Sequence, residues 1–264
     1  MKNVSFLKVL IPACFVLLTC YCTTTTEDKI PVTTESGKAL DLYNQALVAS
    51  DEVYVGRAMD LLEKALAEDP QFFMAAYSLA TFNLYFGNME AFQKNAQQAL
   101  STELKLSKGE NLMKQALEKL VEDPDADVTS IGRELVEMYP GDDAAYFQMA
   151  LFQWLNEDYE GAIDTYTKAL EITENDAPIY NLMGYNYLQQ EQFDKAEEVF
   201  NKYIELAPDL PNAYDSKGDY FLAVGDLKAA YESFMKALEI DSLFTTSLEK
   251  AAKVKLKLDS MVVE

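Results

Sequence analysis

The chain has 264 residues, 49% of them apolar and 25% charged, with 44 acidic against 22 basic side chains and a formal net charge of −22. That acidity argues against a nucleic-acid partner and against spontaneous adhesion to anionic lipid. Histidine, the commonest general base and metal ligand, is absent, and all three cysteines fall at or before Cys22, so the folded body has no disulfide and no thiol nucleophile.

The N-terminal stretch carries Lys2 and Lys8, then an apolar run from Val9 to Leu18. A basic start followed by so short an apolar run is the pattern of an export signal, and it is shorter than a membrane span needs. The residues Leu17-Leu18-Thr19-Cys20 resemble a bacterial lipoprotein signal, with Thr19 where Gly, Ala or Ser is usual. The resemblance implies removal of residues 1–19 and lipid attachment at Cys20. Plain cleavage to a soluble secreted protein is the alternative. Residues 20–37 include the Thr-rich run Thr23 to Gly37, have no apolar periodicity and read as a flexible tether.

From there the chain repeats. Stretches beginning at Tyr146, Tyr180 and Tyr214 are 34 residues apart, and each contains two runs of helical apolar spacing around a short polar turn. Six units fit this frame: 39–72, 73–106, 109–142, 143–176, 177–210 and 211–244. The eighth position is always small: Ala46, Ala80, Ala116, Ala150, Gly184 and Gly218. The twentieth is Ala58, Phe92, Val128, Ala162, Ala196 and Ala230, and the twenty-seventh is Ala65, Ala99, Leu135, Ala169, Tyr203 and Ala237. Pro70, Pro140 and Pro208 close three units, where a proline ends the second helix. The third unit departs most, with Val128 and with Gly132 in place of an aromatic.

These landmarks resemble the tetratricopeptide repeat, a helix–turn–helix unit. The resemblance implies an all-α fold: a right-handed superhelical solenoid of six repeats over 39–244. Residues 245–264 follow as a capping helix and tail, with Phe244, Leu248, Ala251, Val254 and Leu258 on one face and Lys250, Lys253 and Lys257 elsewhere. In this family the first helix of each unit lines the inner wall. Carried over, the groove residues are Tyr43, Tyr77, Tyr85, Phe147, Trp154, Asn181, Tyr185, Asp215 and Asp219. Aromatic anchors of this kind suit a protein or peptide partner. The alternative is that several of them pack against adjacent helices.

One subgroup of the family clamps a peptide carboxylate with a lysine at the fifth position. Here the fifth positions are Tyr43, Tyr77, Met113, Phe147, Asn181 and Asp215, which argues against that clamp. Asp123, Asp125, Asp127 and Glu134 have part of the spacing of a calcium loop, but Val128 stands where the sharp turn needs glycine. A polar turn capped by Asp127 or Thr129 is the simpler reading. No nucleotide loop, zinc spacing or nucleophile elbow is present. The sequence therefore points to a non-catalytic scaffold in a bacterial cell envelope, tethered by lipid and facing the periplasm or the exterior. It points to no metal, cofactor, nucleic acid or small-molecule substrate. A calcium-regulated protein and a carboxylate-only hydrolase are the remaining alternatives.

Overall fold

The computed structural model describes residues 29–261. The signal segment, Cys20 and the first part of the expected tether lie outside them. Among the described residues there are thirteen helices and no strand. Six antiparallel pairs follow in chain order: α1 (Gly37–Asp51) with α2 (Val55–Glu68), α3 (Phe73–Tyr85) with α4 (Met89–Leu100), and α5 (Lys108–Glu122) with α6 (Thr129–Met138). Then come α7 (Asp143–Leu155) with α8 (Tyr159–Ala169), α9 (Ala177–Gln189) with α10 (Phe193–Leu206), α11 (Pro211–Ala223) with α12 (Leu227–Ile240), and last α13 (Thr245–Met261). The expected all-helical solenoid is what the chain forms.

Small residues set the approach of the two helices in each pair. A Cβ added at Gly184 would run into the Phe200 ring, and one at Gly218 into the Phe234 ring. Both rings are fully buried, so the glycine at the eighth position and the aromatic at the twenty-fourth make one contact. The twentieth-position residues, from Ala58 to Ala230, are fully buried throughout, Phe92 and Val128 included. The third unit fits by another route. The missing side chain of Gly132 admits Met149 and Phe152 of α7, whose atoms lie 2.8 to 3.0 Å from where its Cβ would be.

The turn inside five of the six pairs has a common geometry. Val53, Gly87, Glu157, Glu191 and Gly225 are all left-handed, with φ between 55° and 84°. The next residue's N–H bonds a carbonyl five residues back: Tyr54 to Ala49, Asn88 to Asn83, Asp158 to Gln153, Gln192 to Tyr187 and Asp226 to Phe221, at 2.8 to 2.9 Å. This is a Schellman ending, and it favours glycine. Asn88, Asp158 and Asp226 then cap the second helix through their side chains. The third unit uses a longer turn, where Asp127 accepts from the Thr129 N–H at 2.9 Å and from its hydroxyl at 2.6 Å. These bonds hold the Asp127 carboxyl below its ordinary pKa. The prolines act between pairs: Phe72 N–H bonds Asp69 O, Asp142 bonds Tyr139 and Leu210 bonds Ala207, each around a Pro at the second turn position.

The polar stretch before α1 is docked where composition suggested a loose tether. Ile30 N–H donates to Asp142 Oδ2 at 2.7 Å. Thr33 donates to Glu110 through its N–H at 2.7 Å and its hydroxyl at 2.6 Å, and Ser107 Oγ donates to Pro31 O at 2.9 Å. Glu110 is fully buried and also closes the capping box of α5 with Ser107. Its carboxylate thus gains the donors its burial requires. The last helix buries Ala251 and Val254 as its apolar face predicts, but Leu248 remains 53% exposed.

Glu191 holds a left-handed conformation that a glycine would adopt without steric cost. Replacing it, Glu191→Gly, is expected to raise unfolding free energy by about 1 kcal/mol in urea titration, with unchanged helicity. An unchanged or lower midpoint would show that the turn is not strained.

Candidate functional site

The inner helices α1, α3, α5, α7, α9 and α11 surround a cavity of about 920 Å³. Tyr43, Tyr77, Tyr85, Phe147, Trp154, Asn181, Tyr185 and Asp215 all line it. Asp219 stands behind the wall and connects to it through Tyr185, whose hydroxyl donates to Asp219 Oδ2 at 2.9 Å. Among these, Tyr43, Tyr77, Asn181 and Asp215 are buried, while Tyr85, Phe147, Trp154, Tyr185 and Asp219 are partly buried. The two buried tyrosines also serve the packing: Tyr43 lies 5.2 Å from the Phe72 ring and Tyr77 lies 5.6 Å from Phe73.

Contacts across the cavity make it a chamber with two ends joined. The Tyr77 hydroxyl donates to Gln148 Oε1 at 2.5 Å, linking the second unit to the fourth. Tyr85 and Trp154 stack with ring centres 4.5 Å apart, again between the second and fourth units. On the other side the first unit meets the last. Tyr54 donates its hydroxyl to Asp241 Oδ2 at 3.2 Å and sets its ring edge-on to Phe244 at 5.8 Å. Tyr54 and Phe244 both line the chamber. Sequence reasoning missed Tyr54, Gln148 and Asn186, and placed Phe244 on the cap rather than in the chamber; these positions follow from the path of the superhelix and from no local motif.

The acidic end of the wall is an internal network. Lys250 of α13 donates to Asp215 Oδ2 at 2.6 Å and to Asp219 Oδ2 at 2.7 Å, and Ser247 Oγ donates to Asp215 Oδ1 at 2.6 Å. Asp215 and Asp219, carried over as groove residues, are therefore bound to the cap. Burial works against the Lys250 charge, but Asp219 and Asp215 outweigh it and hold its pKa above the ordinary lysine value. One ammonium serves two carboxylates, so Asp219 stays above the usual carboxylate range, through burial first and Asp215 second, against the pull of Lys250. Burial, then the charge of Asp219, pushes the Tyr185 phenol well up, and burial pushes Tyr43 up to about 12. These phenols stay protonated and act as donors and ring surfaces. Among the described residues, no cluster of three or more His, Cys, Asp or Glu side chains is placed to hold a metal ion, and no helix is long and apolar enough to cross a membrane.

Comparison with known proteins agrees with this architecture. Two family models, both described as tetratricopeptide repeat, match residues 142–209 and 211–242. A solved tetratricopeptide repeat protein from Parabacteroides merdae superposes with a TM-score of 0.51 at 17% identity, covering 84% of this chain and 88% of that one, which shows the shared fold. The chain is 30% identical over 98 residues to heat shock protein STI1 of Saccharomyces cerevisiae, covering 37% of this chain and 17% of the relative. It is 31% identical over 112 residues to BBSome complex member BBS4 of Bos taurus, covering 42% and 21%. The chain spans about a fifth or less of the length of the curated relatives it matches. Residues 142–209 and 211–242 match the tetratricopeptide repeat, and the helix pairs before them continue one solenoid whose inner helices enclose an aromatic chamber.

Removing the shared cation tests the acidic network. Lys250→Met leaves Asp215, with its side chain 3% exposed, and Asp219 without their counter-charge. The expected loss is about 3 kcal/mol at neutral pH. Carboxyl groups whose folded pKa is raised lose stability as pH climbs above the unfolded value. The deficit of the variant should therefore shrink as pH falls into the ordinary carboxylate range. A deficit independent of pH would mean that Lys250 contributes packing alone.

Proposed function

We propose that this protein is a non-catalytic scaffold that holds a protein or peptide partner on its inner helices. The observation that carries the reading is the convergence of aromatic side chains from successive first helices on one concave surface, with Tyr85, Phe147 and Trp154 only partly buried. Large rigid rings give contact area at low entropic cost, and such residues dominate binding energy at interfaces. Two relatives are named as parts of assemblies, anaphase-promoting complex subunit 3 of Dictyostelium discoideum and BBSome complex member BBS4 of Bos taurus. That supports a binding role and selects no partner. The finer part of the proposal is export to a bacterial envelope with a lipid on Cys20. It rests on the Lys2 and Lys8 start, the apolar run and Leu17-Leu18-Thr19-Cys20.

Each part has its own test. Cross-linked affinity capture from intact cells should compare the native chain with a Phe147→Ala/Trp154→Ala double variant of normal helicity. A partner held by the native chain and lost from the variant supports the inner surface as the interface. The same partners on both would move the interface to the outer helices or the cap. For the anchor, Cys20→Ser should shift the protein from the membrane fraction to the soluble fraction and remove incorporated acyl chain. Retention on the membrane without Cys20 would overturn lipid attachment there.

A further inference from the structure

One wall of the chamber carries hydrogen-bonding groups that the protein itself does not use. Tyr166 of α8 lines the chamber and is 5% exposed, with its ring packed on Phe147 at 6.0 Å. Burial, and then the neighbouring Tyr85, hold its phenol above the ordinary pKa, so it stays protonated. No described group hydrogen-bonds that hydroxyl. Among the described residues, the unpaired side-chain atoms sealed from solvent are the Asn181 and Asn186 oxygens. The Tyr166 hydroxyl, unpaired but not sealed, therefore keeps an open side, and the chamber is the space whose wall it forms. Tyr85 lines the same wall, and burial alone raises its phenol. Trp154, stacked on Tyr85 at 4.5 Å, adds an indole N–H without a partner. A polar group held this deep and left unpaired keeps much of the cost of leaving water, and marks a place where a partner belongs.

The chemistry of these groups and of the surrounding wall defines the occupant. A neutral phenol offers an O–H and an indole only an N–H, so together they call for an acceptor oxygen. Phe82, Phe147 and Leu151 supply an apolar wall. Leu47, Phe86 and Leu243 also line the chamber and are 45%, 58% and 82% exposed, which gives it an apolar entrance. A volume of about 920 Å³ falls within the range of small-molecule sites, roughly 300–1,000 Å³. The contact of Tyr54 with Asp241 and Phe244 joins first and last units across the groove, which favours a compact occupant over a long extended chain. The charged groups of the lining are answered or lie at its edge: Lys250 binds Asp215, while Asp51 and Arg57 are exposed. A charged ligand drawn inward would leave water without meeting a free counter-charge.

We propose that the chamber binds a small neutral ketone or ester, an apolar aryl or alkyl body whose carbonyl oxygen accepts from the Tyr166 hydroxyl beside Tyr85 and Trp154. This goes beyond the scaffold function and uses the same cavity, so the two are tested by different readouts.

Trp154 is the only tryptophan in the chain and lines the chamber, so its emission reports occupancy from within. The full chain is titrated with 4-phenylbutan-2-one and with three analogues of similar size. Butylbenzene lacks the oxygen, 3-phenylpropanoate is the anion, and 4-phenylbutan-2-amine is the cation. The ketone should change Trp154 emission saturably, with a dissociation constant of about 1 mM or tighter, and both charged analogues should bind about tenfold more weakly or not at all. Tyr166→Phe removes the hydroxyl and keeps the buried ring, so the variant should fold as the native chain does. It should bind the ketone about tenfold more weakly, because the carbonyl then enters unpaired, and bind butylbenzene with native affinity. No saturable response to the ketone, a charged analogue that binds as tightly, or a Tyr166→Phe variant that binds the ketone like the native chain would overturn the proposal. Ketone binding in a chain that captures no protein partner would retain the chamber and end the scaffold reading. Partner capture without ketone binding would do the reverse.

Discussion

The close approach of two helices within each unit is the contact on which the rest of the molecule depends. Where the eighth position is glycine, the partner ring of the second helix lies where a Cβ would be, at Gly184 with Phe200 and Gly218 with Phe234. Where it is alanine, the residue is as fully buried as a core leucine. Each pair is thereby a rigid unit of nearly constant shape, and a solenoid amplifies whatever rotation relates one unit to the next. A departure inside a single unit therefore has consequences at a distance. In the third unit, Gly132 lets α7 come close, and the second and fourth units touch directly through Tyr77 with Gln148 and Tyr85 with Trp154. Three units further on, the last turn reaches the first, and Tyr54 meets Asp241 and Phe244.

This explains which features could be read from the chain and which could not. The helices, their pairing and their turns are local consequences of small residues, prolines and caps at fixed spacing, and a period of 34 residues repeats the message. The chamber wall was legible for the same reason, because the fifth position of a unit faces inward wherever the unit sits. The closure was not. Tyr54 and Phe244 are separated by 190 residues, and their meeting depends on a sum of small rotations that no short motif encodes. Composition also misled at the N-terminal side. A Thr-rich polar stretch reads as solvated, yet Ile30, Thr33 and Thr34 satisfy Asp142, Glu110 and Asp69 on the array. A polar segment can be ordered when buried acceptors elsewhere require its donors. The acids of the last unit misled in the opposite way. Asp215 and Asp219 occupy groove positions, but the cap helix answers them with Lys250, so their charge is spent inside the protein.

The two ends of the chamber thus differ in how complete they are. At the cap, each carboxylate has its donors, and the network joins α11, α13 and, through Tyr185, α9. That end is finished and contributes order. Next to it on α9, the oxygens of Asn181 and Asn186 are buried and unanswered. A leucine of similar volume would cost less at either position. A fold that meets the demands of Glu110, Asp215 and Asp219 so fully is capable of placing donors where its own structure needs them. Both side chains are almost fully buried among the helices that pack on α9. Their unmet acceptors are a cost of packing α9, set beside a network in which every carboxylate has its donors.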